Sequence, residues 1–80
     1  MIARGRVISR KPEGVVVEAD GRRYIMGYGA YLIWKTFEED SSPEEVVAQA
    51  VAISGLSREE AERLLLPFIE EMVSKGLLRY

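Results

Sequence analysis

The hydrophobic period of this 80-residue chain changes once, around Gly27-Tyr28-Gly29. Before that point lie short β-branched runs broken by turn residues; after it, apolar residues recur every three to four positions. Strands gathered at the start and helices gathered at the end predict an α+β plan rather than alternating βαβ units. A chain of this length buries only ~60% of its unfolded surface, which leaves room for one core and one site. We read residues 1–80 as a single domain.

Arg6-Val7-Ile8-Ser9 and Val15-Val16-Val17-Glu18 have strand character. Lys11-Pro12-Glu13-Gly14 between them is a turn signal: proline presets φ, and glycine permits a positive φ. Asp20-Gly21 then precedes a third run, Arg22-Arg23-Tyr24-Ile25-Met26, and an Asp-Gly pair in that setting is a strong hairpin signal. A two-residue turn there dictates the register. Ala19 faces Arg22, Glu18 faces Arg23, Val17 faces Tyr24, Val16 faces Ile25 and Val15 faces Met26. One face then holds Val15, Val17, Tyr24 and Met26, which suits a core. The other pairs Glu18 with Arg23 and Val16 with Ile25, and is half apolar, open to a covering partner.

Gly27 and Gly29 are placed to let the chain turn out of the sheet. Ala30, Ile33, Trp34 and Phe37 then form one helical stripe, ended by Glu38-Glu39-Asp40. Trp34 belongs to the core, and its ring N–H needs an acceptor there. Ser42-Pro43-Glu44-Glu45 reads as a second helix start, with Ser42 as cap, proline in the first turn and Glu45 completing a capping box. Val46, Val47, Ala50 and Val51 are its buried stripe and Gly55 its stop. Ser57-Arg58-Glu59-Glu60 starts a third helix by the same logic. Ala61, Leu64, Leu65, Phe68, Ile69, Met72 and Val73 give its buried stripe, with Pro67 predicting a kink without a break. Leu77-Leu78-Arg79-Tyr80 is an apolar tail expected against the sheet or the first helix. A three-stranded antiparallel sheet followed by three helices is close to a winged helix-turn-helix.

Composition excludes much chemistry. There is no cysteine and no histidine. A disulfide scaffold, a thiolate metal site and a thiol nucleophile are therefore impossible, and the usual general base is missing. No catalytic residue, cofactor or metal ligand is assigned, and we expect a non-enzyme. The start of the sequence lacks a signal-peptide pattern, and no apolar run reaches the ~20 residues that span a bilayer, so a cytoplasmic protein without membrane contact is expected. Residues 1–36 carry seven basic and three acidic groups, and residues 37–80 carry four and ten. The basic half could steer an acidic partner, or the two halves could attract one another within the fold.

The segment Met26-Gly27-Tyr28-Gly29-Ala30-Tyr31-Leu32-Ile33-Trp34 resembles the signature of the pyrroloquinoline quinone biosynthesis protein D family. The resemblance extends to Ser42-Pro43-Glu44-Glu45-Val46 and to the close from Phe68 to Leu78, which includes Lys75-Gly76-Leu77-Leu78, and covers about residues 5–78. Gly27 and Gly29 stand where the family carries Asn and Thr or Ser, which predicts a poorly capped first helix. The resemblance implies a peptide chaperone. Such domains bind the leader segment of a ribosomally made precursor peptide and present it to a modifying enzyme, such as a radical SAM enzyme or a leader peptidase. The resemblance further implies that the leader adds as a strand to the third strand and rests against the third helix.

That reading makes Arg22, Arg23, Tyr24, Ile25 and Met26 the candidate peptide-binding strand. The strand holds no proline, so every residue can offer a donor. Arg63, Leu66 and Glu70 on the third helix are the candidate facing residues. Tyr24, Tyr28 and Tyr31 either line the entrance of that groove or cover the core edge. Two other readings stand beside this one. A winged-helix nucleic-acid binder fits the element order, but Glu59, Glu60, Glu62, Glu70 and Glu71 on the third helix oppose it. A subunit-interface domain, including a homodimer, would use the half-apolar sheet face.

Overall fold

The computed structural model describes residues 1–80. Its elements are β1 (Ile2–Ala3), β2 (Arg6–Lys11), β3 (Gly14–Ala19), β4 (Arg22–Met26), α1 (Tyr28–Lys35), α2 (Pro43–Ser54), α3 (Arg58–Ser74) and β5 (Leu78–Arg79). β2, β3 and β4 form a three-stranded antiparallel sheet in that order, followed by the three helices. The α+β plan therefore holds. A second, two-stranded sheet pairs β1 with β5, Ile2 opposite Arg79 and Ala3 opposite Leu78. Two-residue strands carry no period, so nothing in the sequence announced it.

The β3–β4 register is the one that the two-residue turn dictates, from Ala19 opposite Arg22 to Val15 opposite Met26. Asp20 and Gly21 both have positive φ, 51° and 76°, as a type I′ turn requires. Val15, Val17 and Met26 are buried on the inner face, and Tyr24 is half-buried. On the outer face Glu18 meets Arg6 at 3.2 Å and Arg23 at 3.6 Å, Val16 is half-buried, and Ile25 stays 56% exposed. Gly14 serves a different purpose from the one expected. Its φ is not positive; a β-carbon there would run into the backbone carbonyl of Met26 at the end of the neighbouring strand β4. Nor do Gly27 and Gly29 turn on positive φ. Gly27 precedes α1 with φ −57°, and Gly29 lies inside the helix.

α1 has no side-chain cap, as the glycine at its start predicts. Trp34 and Phe37 are buried, and the indole N–H donates to the Leu77 carbonyl at 2.9 Å. α2 begins with the Glu45 backbone N–H donating to Ser42 Oγ at 3.2 Å. The box there is only half built, because the Glu45 carboxylate accepts from the Ser42 hydroxyl instead of the Ser42 N–H. At Ser57 and Glu60 both halves are present. Gly55 ends α2 in the left-handed region, φ 75°.

α3 runs unbroken through Pro67. Its end is a Schellman turn: Leu77 N–H donates to Met72 O at 2.8 Å and Gly76 N–H to Val73 O at 3.1 Å, with Gly76 at φ 75°. The expected stripe of α3 is only partly inside. Ala61, Ile69 and Met72 are buried, but Leu64 is 57% and Phe68 45% exposed. The side-chain ion pairs also differ from expectation. Arg4–Asp20, Arg6–Glu18 and Arg23–Glu18 lie within the basic half, and Arg58–Glu62, Arg63–Glu59 and Lys75–Glu71 within the acidic half. No side-chain ion pair joins the halves; the one charged contact between them is the Met1 amino group on Asp40 at 2.6 Å, and apolar burial does most of the holding.

Two substitutions test these contacts. Trp34→Phe keeps most of the ring but removes one of the two donors to the Leu77 carbonyl, which still accepts from the Arg4 N–H at 2.9 Å, and should cost about 1 kcal/mol in urea unfolding. Gly14→Ala should cost at least as much, because backbone rather than a side chain must move. Gly21→Ala, with open space around it, should cost only about 1 kcal/mol from its positive φ.

Candidate functional site

The three-stranded sheet has two edges, and they differ. β2 is bulged between Val7 and Ser9 and carries Arg6, Arg10 and Lys11, features that discourage pairing with another chain. β4 has neither bulge nor proline. Its backbone polarity follows from the register. A two-residue turn makes its flanking pair, Ala19 and Arg22, hydrogen-bonded, and alternation then turns the N–H and C=O of Arg23 and Ile25 outward. These two residues form a short open template for an added strand.

Beside that edge runs a groove of about 190 Å³ between β4 and α3. Tyr24, Ile25 and Met26 form one wall, Gly27 and Ala30 one end, and Phe68, Glu71, Met72 and Lys75 the helical wall. The Lys75 ammonium sits 5.7 Å from the centre of the Tyr24 ring and donates to Glu71 Oε1 at 2.8 Å. A second, polar hollow adjoins it, where Arg22 and Tyr24 face the segment Val73 to Gly76. β4 therefore starts beside the end of α3, and Arg22 lies in no ion pair there.

Of the residues singled out from sequence, Arg22 to Met26 thus share one edge, with Tyr24, Ile25 and Met26 in the groove wall and Arg23 pairing with Glu18. The structure does not bring Arg63, Leu66 and Glu70 to that groove. At about 100° per residue they project from the side of α3 opposite Phe68. Leu66 lines a separate hollow with Pro43, Glu44 and Val47, Arg63 pairs with Glu59 at 3.6 Å, and Glu70 is exposed. Sequence reasoning missed Phe68, Glu71 and Lys75 as groove residues. Their spacing of three and four marks one helix face, but periodicity alone assigned Phe68 to the core.

The tyrosines divide. Tyr24 is in the groove. Tyr28 donates its hydroxyl to the Lys11 carbonyl at 2.7 Å, closing the sheet corner. Tyr31 is buried against Trp34, with ring centres 6.0 Å apart. Arg10 donates to the Tyr31 hydroxyl at 3.2 Å and, with Lys35, lies over the ring. The Arg10 hydrogen bond lowers this phenol's pKa below the ordinary 10.0; burial opposes it and Lys35 assists.

A family model described as coenzyme PQQ synthesis protein D (PqqD) matches residues 13–78. The chain belongs to the PqqD family. The matched span takes in β3, β4 and all three helices, and so every wall of the groove. No curated protein and no solved structure matches the chain. The PqqD family is an accessory one in quinone-cofactor biosynthesis. No helix here is long and apolar enough to cross a membrane, and no group of three or more carboxylates is arranged to hold a metal ion.

The Tyr31 contact makes a pH prediction. The folded-state pKa lies below the unfolded one, so ionisation of Tyr31 adds stability only as pH climbs past the lowered value. An ultraviolet absorbance titration should show Tyr31 ionising below the ordinary phenol range, and Arg10→Met should return it toward that range.

Proposed function

We propose that this chain is a non-catalytic peptide chaperone. It binds the leader segment of a ribosomally made precursor peptide and presents it to a modifying enzyme, such as a radical SAM enzyme or a leader peptidase. The observation that carries the reading is the unpartnered β4 edge lying directly against an apolar groove. An extended guest gains main-chain hydrogen bonds from Arg23 and Ile25. Its alternate side chains enter the groove between Tyr24, Met26, Phe68 and Met72. Main-chain pairing supplies affinity without sequence preference, and the groove supplies the preference. Membership of the PqqD family supports the same reading, since that family binds a precursor peptide and works with a radical SAM enzyme.

The proposed contacts are Arg22, Arg23, Tyr24, Ile25 and Met26 on β4, with Phe68, Met72 and Lys75 across the groove. Arg22 and Lys75 bias the orientation of a charged guest more than its affinity, because exposed pairs contribute about 1 kcal/mol or less. Nucleic acid is a poor fit, since α3 carries Glu59, Glu60, Glu62, Glu70 and Glu71 and a groove-reading helix needs basic and amide groups.

The test is an amide NMR titration of labelled protein with the N-terminal halves of small peptides encoded beside its gene, with duplex DNA as control. Shifts concentrated on Arg22–Met26 and α3, at micromolar or tighter affinity, are expected. Absence of shifts with every such peptide would overturn the reading. Ile25→Pro removes an outward N–H that the sheet does not use, so the fold should survive while binding falls about tenfold or more. Phe68→Ala removes an exposed groove wall and should weaken binding about tenfold.

A further inference from the structure

We infer that the guest site continues past the β4 edge, and that the same peptide seats a second apolar side chain in a hollow bounded by Leu32, Ile53 and Leu64. The inference rests on the peptide-recognition reading above. Two adjoining hollows of about 260 and 150 Å³ lie where α1, α2 and α3 meet, and they share Ala50, Ile53 and Leu65. Their walls are almost wholly apolar. Ile53 is 87% exposed, Leu32 63% and Leu64 57%, the most prominent aliphatic cluster on the surface. An exposed cluster of this kind on so small a protein marks a contact surface.

What fills it is indicated by its continuity with the groove. Along α3, Ala61, Leu64, Leu65, Phe68, Met72 and Lys75 recur at spacings of one, three and four and share one face. The first three line the hollow and the last three line the groove. Phe68 stands 45% exposed between the two sets. α1 repeats the arrangement one turn apart, with Ala30 at the groove and Ile33 at the hollow. The two recesses are thus successive parts of one apolar track.

The distances suit a single extended chain. β4 starts beside Val73 to Gly76, so a guest paired with β4 and moving toward Gly27 travels along α3 toward Phe68 and Leu64. From Phe68 to Ala61 the helix advances about 10 Å. About three extended residues cover that length. A guest therefore needs only about three residues beyond the partner of Met26 to reach the second recess. The polar residues at that recess are Thr36, Gln49 and Ser54, none charged, so the second anchor is an uncharged aliphatic or aromatic side chain. A second copy of this chain could cover the hollow, but it would not account for a track that runs on into the groove.

The experiment pans a display library of random linear peptides, long enough to span both recesses, against the full chain. Selected peptides are then measured against wild type, Ile53→Glu, Leu64→Glu and Ile25→Pro. Ile53 is so exposed that its replacement leaves the core intact, which Trp34 fluorescence verifies. Peptides carrying two apolar anchors, weakened about tenfold or more by Ile53→Glu and Leu64→Glu, would support the inference. So would truncated versions lacking the second anchor that bind wild type and Ile53→Glu alike. If Ile25→Pro abolishes binding while both glutamate variants bind within twofold of wild type, the second recess falls and the peptide reading stands. If no peptide is selected, the peptide reading itself fails and takes this one with it. Concentration-dependent sedimentation of wild type that Ile53→Glu removes would assign the hollow to a second copy instead and overturn the inference.

Discussion

The indole N–H of Trp34 reaches the Leu77 carbonyl across 43 residues of sequence, and the geometry of the groove follows from where that bond holds the end of α3. Gly76 reverses the chain at φ 75°, with its N–H and that of Leu77 satisfying the last carbonyls of the helix. Leu77 and Leu78 then enter the core, and Leu78–Arg79 pairs with β1. α3 is thus tied at its C-terminal end to α1, to the core and to the small sheet. It rests beside β4 without covering its edge. A chain this small has few such long-range ties, so each one carries a large share of the architecture.

This arrangement explains why one edge of the sheet is open and the other is not. β2 discourages an added strand by a bulge and by its cations, whereas β4 has no such device and an apolar recess alongside. An unpaired, unprotected edge would ordinarily invite aggregation. Here the edge is five residues long and offers only two outward residues, Arg23 and Ile25, which limits what can pair with it. The proposed peptide-binding reading rests on this open edge, and membership of the PqqD family supports it.

The legibility of the molecule from sequence varies with the range of the interaction. The β3–β4 register was readable residue by residue because a two-residue turn leaves no freedom in strand pairing. The cap at Ser57 and the stop at Gly55 were readable because they are closed within four residues. The capping box at Ser42 was read as complete and is half built, the Glu45 carboxylate accepting from the Ser42 hydroxyl and not from its N–H. That Arg22–Met26 form a strand was readable from the hairpin, while their candidacy for peptide binding came from the family resemblance. Its helical wall was not: Leu66 looked prominent among charges, while Phe68 looked like core.

Hairpin register, helix starts and stops, and the exclusion of thiol and imidazole chemistry were determined by the sequence itself. Each depends on residues close along the chain or on residue types that are simply absent. The rotation of α3 about its own axis was decided only in the tertiary structure. A helix with apolar residues at positions 61, 64, 65, 68, 69 and 72 has a stripe wider than the core can cover. Which part is buried depends on where Leu77 and Trp34 anchor its end. Burial went to Ala61, Ile69 and Met72, Leu65 is half-buried, and Leu64 and Phe68 were left facing outward along the apolar track.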